Sequence, residues 1–204
     1  MNKQDILAIM LVGLAYGIFR LVPGIFAGHQ GQQAVTVPVQ VTPVVASGPA
    51  PVIDTQSWFQ SMKPYCNAVE VETRLRQTPA PSSVEGDSYS AACLALAGKI
   101  DSAREIILDL SGDDRWRAAG IVFGIAHPVA DAGDNEAAGP IMELVVEFWP
   151  NHYMALYHAG AARFEMGDHG EAEGYLNRFL DNYEPDDGWR KSAISMLETI
   201  GEGC

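Results

Sequence analysis

Basic side chains are scarce in this 204-residue chain: 13 Lys and Arg stand against 26 Asp and Glu, for a net charge of −13 at pH 7. A surface of that sign repels phosphate backbones, which need clustered cations to displace their counterions, so no nucleic-acid partner is expected. Cysteine is rare too, with three residues at Cys66, Cys93 and Cys204. At those spacings they form no paired CxxC metal motif. HExxH, GxSxG and a Gly-rich phosphate loop with its Lys are all missing, and with them the short signatures of metal-assisted hydrolysis, acyl transfer and nucleotide binding. The chain is therefore read as a non-enzyme, with no catalytic residue, no cofactor, no metal and no small-molecule substrate.

Charge is also missing locally. Residues 6–27, ILAIMLVGLAYGIFRLVPGIFA, contain one charged residue, Arg20. Twenty-two residues of helix rise about 33 Å, enough for a hydrocarbon core of about 30 Å, so residues 1–28 are expected to be a transmembrane anchor. The alternative is a cleaved secretory signal: residues 6–19 have the length of its apolar region, but Arg20 interrupts the run, and Ile25 and Phe26 spoil the small-residue pattern before Gly28. Arg20 is expected either to snorkel to the interface or to contact an acidic group of a partner membrane protein. Lys3 precedes the span, whereas residues 29–62 hold no Lys or Arg, so the positive-inside tendency puts the amino end in the cytosol and the bulk of the chain outside it. An extracytoplasmic compartment permits disulfides. Cys66 and Cys204 are open to a bridge, and the odd count leaves one thiol over. Cys93, within ACLALAG, reads as a buried small hydrophobe rather than a nucleophile.

Residues 29–56 are interrupted by Pro38, Pro43, Pro49 and Pro51 and alternate Val with Gln, Thr and Ala. Proline denies the backbone both helix and central-strand bonding, so this stretch is expected to be an extended linker. Its VTVPVQVTPVV part is apolar enough to lie along a partner. Residues 57–204 turn to helical periodicity: one or two helices over about 56–77 around Pro64, a loop over 78–88, then something that repeats. AGKIDSA at 97–103, AGDNEAA at 132–138 and MGDHGEA at 166–172 share one layout. Gly98, Gly133 and Gly167 lie 35 and 34 residues apart, and an alanine follows each by five. A period near 34 is the mark of stacked helical hairpins. Gly closes one helix in the left-handed region, Asp101, Asp134 or Asp168 caps the next, and the alanine lets the two approach.

These residues resemble the tetratricopeptide repeat family over about 84–186. The family's small residue in the first helix falls at Ala91, Ala126 and Gly160, and its closing proline at Pro150 and, one place late, Pro185. The pattern departs at Pro128 and Pro140, inside helices of the middle unit, and at Val122 and Leu156, where the family has a large aromatic. After Pro185, DDGWRKSAISMLETI is similar to the terminal helix that covers the apolar edge of such stacks. The resemblance implies an all-α solenoid with a capping C-terminal helix, and a groove lined by the first helix of each repeat. The matching positions are Glu85, Ser88, Ala92, Ala95 and Leu96 in the first unit, Phe123, His127 and Asp131 in the second, and Met154, Tyr157, Ala161, Phe164 and Glu165 in the third. Phe123, His127, Met154, Tyr157, Phe164 and Glu165 are the expected partner-binding residues, with filling of the inter-repeat core as the competing role for Phe123, Tyr157 and Phe164. The Lys and Asn with which some members clamp an acidic carboxylate are absent: Ser88, Ala92, Phe123 and His127 stand there instead. His152, His158 and His169 are near in sequence but lack the i, i+3 or i+4 spacing of helical metal ligands, and read as exposed or groove-lining.

The expectation is a single-pass membrane protein whose extracytoplasmic domain holds subunits of a larger membrane complex together. The alternative is a secreted or periplasmic peptide-binding module freed by signal cleavage.

Overall fold

The computed structural model describes residues 54–203, and these are all-helical, as the periodicity predicts: α1 (Thr55–Met62), α2 (Val71–Gln77), α3 (Val84–Leu96), α4 (Ile100–Asp109), α5 (Gly112–Asp131), α6 (Asn135–Phe148), α7 (Tyr153–Glu165), α8 (His169–Asn182) and α9 (Gly188–Glu202), with a single 3-10 turn at Lys63–Tyr65. Among the described residues no helix is long and apolar enough to cross a membrane. The expected anchor at 1–28, with Arg20, nearly all of the linker and Cys204 lie outside the described residues.

Side chains that prefer to bond their own backbone open several helices. The Asp54 carboxylate accepts from the N–H of Ser57 at 2.9 Å, Ser83 Oγ from Gly86 at 3.0 Å, and Asp134 from Ala137 at 3.1 Å. Each fills one of the donors that a helix start leaves unpaired. The cap at Ser83 starts α3 at Val84, so the expected 78–88 loop is shorter by its last five residues, and Glu85 and Asp87 complement the helix N-terminus from the first turn.

The three corners close alike. Gly98, Gly133 and Gly167 have φ of 73°, 83° and 77°, the left-handed region that costs a residue with Cβ about 1 kcal/mol or more. Around Gly98, the glycine N–H donates to Ala95 and Lys99 N–H to Leu94, both at 2.9 Å. The same pair of bonds recurs from Gly133 and Asp134 to Ala130 and Val129, and from Gly167 and Asp168 to Phe164 and Arg163. This is the Schellman arrangement, in which two carbonyls at the end of a helix find donors across the turn. Of the three expected caps only Asp134 acts as one. Asp101 sits inside α4 and pairs with Arg104, while Asp168 occupies the cap position but pairs with Arg163 at 3.1 Å.

The corners fold α3 on α4, α5 on α6 and α7 on α8, and each hairpin packs on the next through α3 with α5 and α6 with α7. Ala103, Ala138 and Ala172, five residues past each glycine, are fully buried. Gly160 has no room for a methyl group, since a Cβ there would lie 2.8 Å from the Leu176 side chain on α8. Val122 and Leu156, at the family's aromatic positions, are also fully buried. Pro128 and Pro140 do not end their helices. Each removes one bond to the carbonyl four residues back, at Gly124 and Glu136, and all four residues are exposed, so water can serve those carbonyls.

Both ends of the stack are covered. On the amino side Trp58, Phe59 and Met62 of α1 are buried, Phe59 stacks on Tyr89 at 4.7 Å, and Trp58 Nε1 donates to the Thr78 carbonyl at 3.0 Å. A Cys66–Cys93 disulfide, with Cα atoms 4.8 Å apart, ties the segment after α1 to α3. This corrects the sequence reading twice: Cys93 is no free thiol, and Cys66 does not await Cys204. The spacing along the chain gave no clue, because the two cysteines meet only when α1 folds back over α3. On the carboxyl side α9 is capped by Asp187, whose carboxylate accepts from Trp189 and Arg190 N–H at 3.0 and 3.2 Å, and the helix buries Ala193 and Ile200.

Candidate functional site

The first helices of the second and third hairpins bring an unusual set of rings together. Along α5, Trp116, Phe123 and His127 lie at helical spacing; Trp149 and His152 stand between α6 and α7, and α7 and α9 contribute Tyr157, His158 and Trp189. Trp116 meets Trp149 with centroids 4.5 Å apart, Trp149 meets His152 at 4.4 Å, and His152 meets Phe123 at 4.0 Å. Phe123 then stacks on His127 at 4.6 Å, His127 meets His158 edge-on at 5.1 Å, and His158 meets Trp189 at 5.7 Å. Trp116 is 49 % exposed and Trp189 37 %. Such rings offer large area at small entropy cost, which suits protein recognition.

The predicted groove residues fall into three groups. Phe123 and His127 are half-buried members of this ring chain, and Met154 packs half-buried against the core beside it. Tyr157 is only 8 % exposed: its ring packs on Phe179 and Trp189, and its hydroxyl donates to Ser192 Oγ at 2.9 Å, so α9 covers it. Phe164 and Glu165 lie at the far end of α7, Phe164 half-buried and stacked on His169 at 5.8 Å, Glu165 exposed and accepting from Asn135 at 2.7 Å. Of the first-unit positions Ser88, Ala92 and Ala95 are buried, Ala161 of the third unit likewise, and only Glu85 is open.

A different character marks the side formed by α4, α6 and α8. Arg104 Nε donates to Glu147 at 2.8 Å and also contacts Asp101; Arg163 grips both oxygens of Glu143 and reaches Asp168; Arg178 donates to the Pro150 carbonyl at 2.8 Å. These bonds tie α4 to α6, and α7 to α6. Arg104, Glu143, Glu147, Tyr175 and Arg178 line a shallow polar cleft there.

Three side chains that sequence spacing had not grouped converge beside the rings. His127 and Asp131 are four apart on α5, and His158 faces them from α7; His127 Nε2 lies 3.4 Å and His158 Nε2 3.7 Å from the same Asp131 oxygen. Neither nitrogen has a hydrogen-bond partner, and both are buried. Burial pushes the His158 imidazole down to about 4, with the neighbouring His127 adding to the shift and Asp131 opposing it. Burial likewise lowers His152, whose Nδ1 accepts from the Ala155 N–H at 3.2 Å and so caps α7. The i, i+4 pair of His127 and Asp131 was legible in HPVAD, but nothing local announced that His158 would meet it. His169, by contrast, belongs with Phe164 across the last corner.

No family model, no curated protein and no solved structure matches this chain.

Proposed function

We propose that this chain is a membrane-anchored scaffold of the tetratricopeptide type, an accessory subunit that holds proteins of a larger membrane complex through its extracytoplasmic domain. The observation that carries this reading is the threefold recurrence of one corner, with its left-handed glycine, paired carbonyl bonds and buried alanine, in a body built of sequential antiparallel hairpins. Such a body offers long lateral surface, and its exposed rings at Trp116, Tyr153 and Trp189 give a partner apolar anchors. The Cys66–Cys93 bridge supports an oxidising compartment, which agrees with the orientation that Lys3 and the uncharged stretch after residue 28 lead one to expect. Anchor, linker and helical domain each add a weak contact, and tethering makes the sum stronger than any one.

The test is to extract the native chain in mild detergent and identify what stays with it. Trp116→Ala and Phe123→Ala are expected to weaken retention of the same subunit by about 1–3 kcal/mol each while leaving the helical signal intact. A mature chain that begins after residue 28 and leaves the membrane in salt alone would instead make it a released peptide-binding module.

A further inference from the structure

Inside the ring-rich face the fold has left two imidazole nitrogens buried and unpartnered, and this is where the molecule departs from a merely sticky surface. A buried polar atom without a partner costs about 1–3 kcal/mol, and most are satisfied. Here two such atoms, His127 Nε2 and His158 Nε2, point at one carboxylate oxygen from 3.4 and 3.7 Å, too far for good hydrogen bonds. Those separations suit another geometry. Donor atoms bound at about 2.0–2.2 Å to a tetrahedral zinc stand about 3.3–3.6 Å apart. The three donor atoms all lie within 4.8 Å of one another, so the remaining edge closes with an imidazole swing on the order of 1 Å.

We infer that His127, Asp131 and His158 form a binding site for one divalent transition-metal ion, Zn²⁺ in the first instance, with Nε2 of each histidine and a carboxylate oxygen of Asp131 as ligands. The arrangement meets the requirements for such a site one by one. Two imidazoles and a carboxylate are a donor set for zinc and its neighbours, whereas Mg²⁺ and Ca²⁺ favour all-oxygen shells. The imidazoles are fixed by different elements. His127 is held flat by Phe123 at 4.6 Å, and His158, 3 % exposed, is wedged between Tyr157 and Trp189. The Asp131 side chain is 45 % exposed at the end of α5, which gives the ion a way in and leaves a fourth position facing solvent. Bound there, the ion joins α5 to α7 and presents an open coordination position at the ring-rich face, to be filled by water or by a donor from outside the chain. The inference does not depend on the scaffold reading.

The experiment uses the full chain, without a polyhistidine tag, stripped with chelator and titrated calorimetrically with ZnCl₂, with CoCl₂ as an optical reporter and MgCl₂ as the control. One zinc per chain, d–d bands of a four- or five-coordinate cobalt complex and no response to magnesium are expected. His127→Gln and Asp131→Asn change half-buried or exposed positions and leave the core intact. Each is expected to weaken zinc by more than the about 10- to 100-fold typical of losing an outer-shell partner, and His158→Leu to abolish binding. Wild-type protein that takes up no zinc at micromolar concentration overturns the inference. So do folded His127→Gln and Asp131→Asn variants that bind zinc as tightly as wild type, which would place the ion elsewhere.

Discussion

The two long sides of the helical body handle polarity in opposite ways. On the side of α4, α6 and α8, the arginines that reach across helices have their partners: Arg104 of α4 pairs with Glu147, and Arg163, from the last turn of α7, reaches over to Glu143 of α6 and to Asp168. On the side of α5, α7 and α9, rings replace ions, and the two buried nitrogens have none. The first side is complete in itself: its charges are spent in joining one hairpin to the next. The second leaves rings exposed at Trp116 and Trp189 and two buried nitrogens without a bond. Function is sought on that second side because an unsatisfied group is where a ligand gains most.

The largest expected effect tests where that second side stops being surface and becomes core. Tyr157→Ala removes a ring that α9 covers, together with its bond to Ser192, and is expected to cost about 3 kcal/mol or more. Phe164→Ala, at the open end of the same helix, is expected to cost about 1 kcal/mol. Urea unfolding of both variants decides: equal losses would mean that Phe164 is as deeply structural as Tyr157. Next in size is the bridge that fastens the amino-terminal cover to α3. Its cysteines are 27 residues apart, and closing a loop of that length restricts the unfolded chain by about 3 kcal/mol. Cys66→Ala is expected to lower the unfolding midpoint accordingly, and dithiothreitol to lower wild type to the same value and leave the variant unmoved.

The corners were readable from the chain and the contacts between hairpins were not, for a physical reason. A left-handed turn has to be written locally, because only glycine takes it cheaply, and so Gly98, Gly133 and Gly167 announced all three hairpins and their phase. Capping is also local, yet two of the three expected caps fail for different reasons: Asp101 falls inside the first turn of α4, past the cap position at Lys99, and Asp168 stands at its cap but is drawn to Arg163 five residues back. Residues that share a face of one helix, such as His127 and Asp131, lie within reach of periodicity. His158 joins them only through the packing of one hairpin on another, and Cys93 finds Cys66 only because α1 doubles back. Tyr157 illustrates the same limit in reverse: counting from Gly167 puts it in the groove, but α9, which the count does not include, covers it.

The third expectation concerns the paired side. Arg163 holds Glu143 through two nitrogens, and those bonds, more than the charges alone, raise its pKa further and keep it cationic. Arg163→Met keeps the packing of the stem and removes the fork, leaving Glu143 and Asp168 without their cation. Because the guanidinium is part-exposed, water recovers much of the loss, and about 1 kcal/mol of destabilisation is expected, shrinking in high salt. A salt-independent loss would assign the effect to packing and weaken the contrast between the sides.

The smallest effect is expected near zero and sharpens the comparison most. In chelator-treated protein, His158→Leu deletes a buried nitrogen without a partner, a gain of about 1–3 kcal/mol, and forfeits edge contacts with Tyr157 and Trp189 worth about 0.5–1.5 kcal/mol each. The two nearly cancel, so the variant is expected to unfold within about 0.5 kcal/mol of wild type, although it replaces a residue only 3 % exposed. Adding zinc then separates them: at a hundredfold excess over its dissociation constant a specific ligand stabilises the folded state by about 2.7 kcal/mol, available to wild type and withheld from the variant. If His158→Leu instead costs several kcal/mol with metal absent, the imidazole is already satisfied within the fold, and the ring-rich side is as self-sufficient as the ionic one.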